Sequence, residues 1–154
     1  MDAKSGGVLA MCSLPGFNPN DYGKVKNISD YNNTAIFTPY EPGSVFKIVA
    51  ALSALENGLA RSDETFFGEH GRYEVTPGVF ITDHEPGGDM TLAQILVKSS
   101  NIGISKVVER VGAQRFYRMC RALGFGAETG VTLPGETAGE LKPLSDLTKV
   151  GLAS

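Results

Sequence analysis

Seventeen residues, Pro42 to Gly58, constrain the fold of this chain more than any other stretch. They read Pro-Gly-Ser-Val-Phe-Lys-Ile-Val-Ala-Ala-Leu-Ser-Ala-Leu-Glu-Asn-Gly, with proline ahead of the start and glycine at the stop, the usual punctuation of a helix. At 100° per residue Val45, Phe46, Ile48, Val49, Leu52 and Leu55 cover nearly the whole circumference, with small residues between them. Such a helix is expected to be central and buried on all sides. Lys47 is the one formal charge from Gly43 to Leu55, so a lysine is placed near the start of a buried helix.

The rest of the chain reads as helices and short strands. Lys4 to Ser13 suggests a turn and a short apolar hairpin strand, with no room for its N-terminal partner after Met1. Tyr73–Val75 and Val79–Thr82 flank Thr76-Pro77-Gly78 and predict a small hairpin. Thr91 with Gln94 three residues on forms a capping box for a helix whose inward face is Leu92, Ile95 and Leu96. Ser99-Ser100-Asn101 interrupts it, and helical spacing resumes with Ile102, Ile104, Val107, Val108 and Val111 before Gly112. A third helix is predicted over Ala113–Leu123, stopping at Gly124. The Gly-, Pro- and Thr-rich remainder reads as loop, with one short strand near Val131.

Composition excludes several classes of function. Fourteen Lys plus Arg against 17 Asp plus Glu, a net charge of -3, give no general attraction to a polyanion, so nucleic acid is a poor partner. No run approaches the roughly 18 apolar residues of a membrane span, and the N-terminus lacks the order of a signal peptide. Cys12 and Cys120 are far apart and are expected to be unpaired thiols. His70 and His84 stand in polar loop sequence, His84 between Asp83 and Glu85, and read as solvated, not as metal ligands. Lys106, Arg110, Arg115, Arg118 and Arg121 form a basic run, read as a solvated face.

The chemistry is in Ser44 and Lys47. Residues i and i+3 share a helical face, the helix start favours a developing oxyanion beside Ser44, and desolvation favours a neutral amine able to take the hydroxyl proton. Alone the spacing is weak, because Ser-x-x-Lys arises by chance in about one of every two chains of this length. Ser99-x-Asn101 is equally common by itself. Together and in this order they are two of the three motifs, with Lys-Thr-Gly, that mark penicillin-binding proteins and class A β-lactamases.

The flanks extend the match. Tyr40-Glu41-Pro42-Gly43-Ser44-Val45-Phe46-Lys47 resembles the active-site segment of class B penicillin-binding proteins, where Glu-Pro-Gly-Ser-Thr-Phe-Lys is typical. Asp2–Met11, Met90–Asn101, Arg121–Gly126 and Leu133–Glu136 also resemble family segments, and Glu41 is nearer the cell-division type than the elongation type. Val45 replaces the usual Thr on a side turned away from Ser44 and Lys47. Lys149-Val150-Gly151 lacks the hydroxyl of Lys-Thr-Gly, which in the family lies further downstream.

The resemblance implies an α+β fold, the mainly helical part of a penicillin-binding protein and serine β-lactamase-like transpeptidase fold. Residues 1–154 would be a partial transpeptidase domain without the Lys-Thr-Gly strand region. It implies acyl transfer to Ser44 from a D-Ala-D-Ala peptidoglycan stem peptide, resolution by an amine of a neighbouring stem, and covalent trapping by β-lactam antibiotics. Ser44 would be nucleophile and substrate contact, Lys47 general base, and Ser99 proton relay. Asn101 would bind both Lys47 and the substrate amide, with Ser100 structural. No cofactor or metal is implied. Other cell-division proteins are possible partners, and a membrane anchor outside this segment would hold the parent on the outer face of the cytoplasmic membrane. Two competing readings share the motifs: a serine β-lactamase, and a non-catalytic β-lactam sensor or division scaffold.

Overall fold

A computed structural model describes residues 1–146; Lys149-Val150-Gly151 lies outside the described residues. The chain divides into two compact units. One comprises Met1–Tyr40 and Gly126–Glu140, the other Glu41–Phe125 and the chain from Leu141.

In the first unit the one α-helix is a single turn, α1 (Thr34–Phe37), capped by the Asn33 side chain, which accepts from the Ala35 N–H at 3.1 Å. The expected strand over Lys4–Ser13 does not form. Instead the Asp2 N–H donates to the Gly7 carbonyl and the Gly6 N–H to the Asp2 carbonyl, each at 2.9 Å, closing a turn, and no ladder pairs this stretch with another described segment. The strand expected near Val131 is also absent. Thr129 and Gly130 donate to the Glu136 carboxylate, and these bonds pull it below the ordinary carboxylate pKa, the Thr129 hydroxyl most.

The second unit holds α2 (Lys47–Glu56), β1 (Thr65–Phe67), β2 (Arg72–Thr76), β3 (Val79–Thr82), β4 (Asp89–Thr91), α3 (Leu92–Lys98), α4 (Asn101–Val111) and α5 (Ala113–Ala122). β2 and β3 form the expected hairpin, with Gly78 at φ +81° in its turn, and β1 pairs antiparallel with β4. The Thr91 capping box is complete: Thr91 Oγ1 accepts from the Gln94 N–H at 3.1 Å and Gln94 Oε1 from the Thr91 N–H at 2.9 Å. Val49, Ala50, Ala51 and Ala54 of α2 pack with Ile95, Ile104, Val107, Val108, Val111, Phe116 and Cys120 to make the core. Phe46 closes one end, edge-on to Phe116 at 5.8 Å and Phe125 at 5.0 Å. Burial pushes the Cys120 thiol up to about 11. Cys12 is exposed, and both thiols are free.

Three further expectations need correction. Leu96, expected on the inward face of α3 with Leu92 and Ile95, is 37% exposed. α2 is buried on one side only: Val45, Ile48, Leu52 and Leu55 form an outward stripe, with Ile48 60% exposed. Its inward side is made of alanines, Ser53 and Val49, small residues that let α4 and α5 approach closely. The basic run is not simply solvated either. Lys106 pairs with Glu69 at 2.5 Å and lies over the Tyr73 ring, while Arg110 pairs with Glu64 and lies over Phe66.

Candidate active site

Ser44 lies in a 3₁₀ turn, Gly43–Phe46, that runs directly into α2. In a 3₁₀ turn residues i and i+3 eclipse, which stacks Ser44 and Lys47. Gly43 enters the turn at φ +56°, a conformation a side chain would oppose. The Lys47 N–H donates to the Ser44 carbonyl. The Ser44 side chain is exposed, and its hydroxyl makes no hydrogen bond to another described residue.

Lys47 is where distant segments meet. Its Nζ donates to the Ser99 carbonyl at 2.5 Å, to Ser99 Oγ at 3.0 Å and to Asn101 Oδ1 at 2.7 Å. Burial holds its pKa below the ordinary lysine value, and the Asp83 charge works in the opposite direction. Ser99 ends α3 in the left-handed region, φ 54° and ψ 39°, a conformation costing a non-glycine residue about 1 kcal/mol or more. That bend turns its carbonyl and hydroxyl to the same ammonium.

Ser100 is the N-cap of α4, as its expected structural role requires. It is 3% exposed, its Oγ accepts from the Gly103 N–H at 2.9 Å, and its hydroxyl donates to Asp83 Oδ2 at 2.5 Å. Asn101 Nδ2 donates to the Thr82 carbonyl at 2.9 Å, so the amide oxygen is the atom that faces Lys47.

Lys47, Ser99 and Asn101 are thus joined by direct hydrogen bonds, and Ser44 adjoins them on the same turn without a bond of its own hydroxyl to Lys47. Asp83 was missed by sequence reading, which saw only a flank of His84. A signal existed: an acidic residue immediately after a short strand, able to cap a helix that begins at a Ser-Asn pair. His70 and His84 are exposed, and among the described residues no three His, Cys, Asp or Glu side chains converge as metal ligands.

Comparison with known proteins gives this geometry its context. The sequence profile of the penicillin binding protein transpeptidase domain matches residues 1–152. The chain belongs to this family. It is 42% identical over 147 residues to penicillin-binding protein PbpB of Mycobacterium tuberculosis, covering 94% of the chain and 21% of that protein. Identity to stage V sporulation protein D of Bacillus subtilis is 35% over 157 residues, 100% of the chain and 24% of the relative. Among solved structures, a Mycobacterium tuberculosis penicillin binding protein 3 complexed with ampicillin superposes with a TM-score of 0.72 at 40% identity, over 79% of this chain and 27% of that one. The transpeptidase domain of Burkholderia pseudomallei penicillin-binding protein 3 superposes with 0.75 at 28% identity, over 79% and 37%. The fold is therefore a partial penicillin-binding protein fold, and the chain spans about a quarter or less of these two sequence relatives.

Proposed function

We propose that this chain carries the nucleophile, base and relay of a serine D,D-transpeptidase that cross-links peptidoglycan stem peptides and is acylated by β-lactams. The single observation that carries the reading is the convergence of Ser99 and Asn101 on Lys47, one turn from Ser44. A β-lactam complex of a similar structure supports it.

Proton bookkeeping assigns the roles. The three contacts of Lys47 Nζ use all three protons of an ammonium, whereas a neutral amine has two protons and a lone pair. One contact must release or reverse when Lys47 is the base. Ser99 Oγ is the one partner among the three with a proton to give. In the acylation step Ser44 Oγ forms a bond to the substrate carbonyl carbon as its proton passes to Lys47 Nζ; the carbonyl C–N bond then breaks as Ser99 gives its proton to the departing amine and takes one from Lys47, which returns to the neutral amine. D-alanine leaves, and an amine of a second stem attacks the Ser44 ester and releases Ser44. Asn101 has one amide proton on Thr82 and a second for the substrate carbonyl.

We propose further that residues 1–154 are the first part of a longer transpeptidase domain whose Lys-Thr-Gly strand lies downstream. The outward stripe of Val45, Ile48, Leu52 and Leu55 is the surface against which more of the domain would pack. Membership of the penicillin binding protein transpeptidase family supports work on peptidoglycan outside the cytoplasmic membrane, and Glu41 before Pro42 supports a division role. Among the described residues no helix is long and apolar enough to cross a membrane; a membrane anchor elsewhere in the full-length protein is part of the proposal. Incubating the full-length protein with a chromogenic β-lactam tests the reading: one equivalent should be consumed and held. Sustained multiple turnover would favour a β-lactamase, and no reaction a division scaffold without chemistry.

Two further outcomes follow. Because the base must be neutral, the acylation rate should climb with pH along a limb titrated by Lys47, and level off below the ordinary lysine pKa of about 10.4. Rate measurements across pH should show this limb in the wild type and lose it in Lys47→Met.

The corner residues should separate by readout. Ser100→Ala strips the α4 cap and leaves Asp83 Oδ2 short of a donor, an expected loss of about 1–2 kcal/mol. Asn101→Ala should slow acylation by a larger factor than its effect on the melting temperature implies. Melts and acylation rates on both variants check the division; a larger rate effect in Ser100→Ala would reverse it.

A further inference from the structure

Asp83 lies immediately after β3, half-buried against the start of α4. Its Oδ1 accepts the N–H of Asn101 at 2.6 Å and of Ile102 at 3.0 Å, and its Oδ2 accepts the Ser100 hydroxyl at 2.5 Å. Three successive residues, Ser100, Asn101 and Ile102, are therefore held by one carboxylate, two of them in the corner that meets Lys47. The adjacent Thr82 carbonyl takes Asn101 Nδ2 at 2.9 Å. The Thr82–Asp83 pair thus fixes both the backbone and the amide orientation of the residue that meets Lys47.

We infer that Asp83 is a positioning residue for acylation, whose carboxylate sets the Ser99–Asn101 corner so that Ser99 Oγ and Asn101 Oδ1 meet Lys47. This inference rests on the transpeptidase reading. A helix start attracts a carboxylate for stability alone, but stability alone does not require the bonds to fall on Asn101, which receives Lys47, and on Ser100, the residue between Asn101 and Ser99. Asp83 bonds to Ser100, Asn101 and Ile102 and not to Lys47. It acts through Asn101 and Ser99, and it also supplies the one charge that acts on Lys47 against the effect of burial.

The expected signature is a loss of acylation rate beyond what lost stability explains. In the full-length protein, Asp83→Ala should slow the acylation step about ten- to a hundred-fold, the scale set by small misplacements of catalytic groups, with little change in initial non-covalent affinity for the penicillin. Asp83→Asn should recover most of the rate, because its amide oxygen still accepts both N–H groups and its NH₂ can donate to Ser100 Oγ. Thr91→Ala is the stability control: it removes the capping box at the other end of α3 and should lower the melting temperature without slowing acylation.

Fluorescent-penicillin labelling kinetics at a temperature where every variant is folded make the comparison. Asp83→Ala acylating as fast as Thr91→Ala, or Asp83→Asn acylating no faster than Asp83→Ala, would overturn the inference and leave the transpeptidase reading standing. No labelling of the wild type would overturn that reading and this inference with it. Should Asp83→Ala not fold, Asp83→Glu replaces it: the charge stays, the carboxylate shifts by one methylene, and a folded variant should acylate measurably more slowly. A wild-type rate in folded Asp83→Glu would overturn the inference.

Discussion

Ser44→Ala should abolish the covalent penicillin adduct, and Lys47→Met should nearly abolish it, in the full-length protein. Removing a nucleophile from a catalytic unit leaves no oxygen to acylate, so the loss should exceed about a thousand-fold. Removing the base leaves Ser44 with its hydroxyl proton and no acceptor on its own turn, and base catalysis is typically worth about a hundred- to ten-thousand-fold. The fold should tolerate the first change well, since the Ser44 side chain is exposed and its hydroxyl has no hydrogen-bond partner among the described residues. Lys47→Met keeps the aliphatic stem but frees three acceptors on Ser99 and Asn101, so a modest drop in melting temperature should accompany its loss of rate. Intact-mass spectrometry after labelling, followed by peptide mapping, reads both. An adduct of undiminished yield in Ser44→Ala would refute the nucleophile, and full-rate acylation in Lys47→Met would refute the base.

Gly103→Ala should destabilise the protein although alanine favours a helix. A Cβ at this position would lie 2.5 Å from Ile95 Cγ1, 2.8 Å from Cδ1 and 3.1 Å from Cγ2. The nearest of these atoms, Cγ1, is bonded directly to Cβ, so rotating the end of the side chain about the Cβ–Cγ1 bond cannot clear it. Ile95 is fully buried, and its neighbours leave it no space to withdraw. Overpacking of this kind costs about 1–3 kcal/mol, against a helix-propensity gain of about 1 kcal/mol at most. The net loss should appear as a melting temperature lower by several degrees. Ile95→Ala on its own should also destabilise, by opening a cavity. Combining it with Gly103→Ala should cost less than the sum of the two, because removing the Ile95 branches removes the clash. A Gly103→Ala protein as stable as the wild type would mean that α3 and α4 are not in the close contact described. The contact matters for the site because α3 and α4 meet at the Ser99–Asn101 corner.

Local physics accounts for most of what was legible in the sequence. Helix punctuation at Pro42 and Gly58, the Thr91–Gln94 box and the spacing of Ile102 to Val111 depend on residues within a turn or two of each other. These elements formed as expected. The Lys4–Ser13 strand did not, because a strand is stable only beside a partner, and apolar residues cannot say whether a partner exists. The pairing of β1 with β4 was invisible for the same reason: three-residue segments carry too little pattern to be read alone.

The site divides along the same line. Residue spacing alone put Ser44 and Lys47 on one turn, since i and i+3 are neighbours in any helical conformation. That Lys47 meets Ser99 and Asn101, 52 and 54 residues away, was available only through resemblance to a family. That Asp83 ties the corner was missed, because the acidic residue after a short strand signals a possible cap without saying which helix, 17 to 19 residues on, it meets. Likewise, the apolar girdle of α2 announced a need for burial without saying which neighbours would meet it. The tertiary structure decided that alanines and Val49 face α4 and α5 while Val45, Ile48, Leu52 and Leu55 face outward, since only small side chains allow those helices to come close. Sequence by itself determined the local elements and the placing of Ser44 and Lys47 on one turn; the packing of β3, α3 and α4 around one lysine decided which side chains meet it, because contacts between distant segments depend on the geometry of the whole core and not on any local preference.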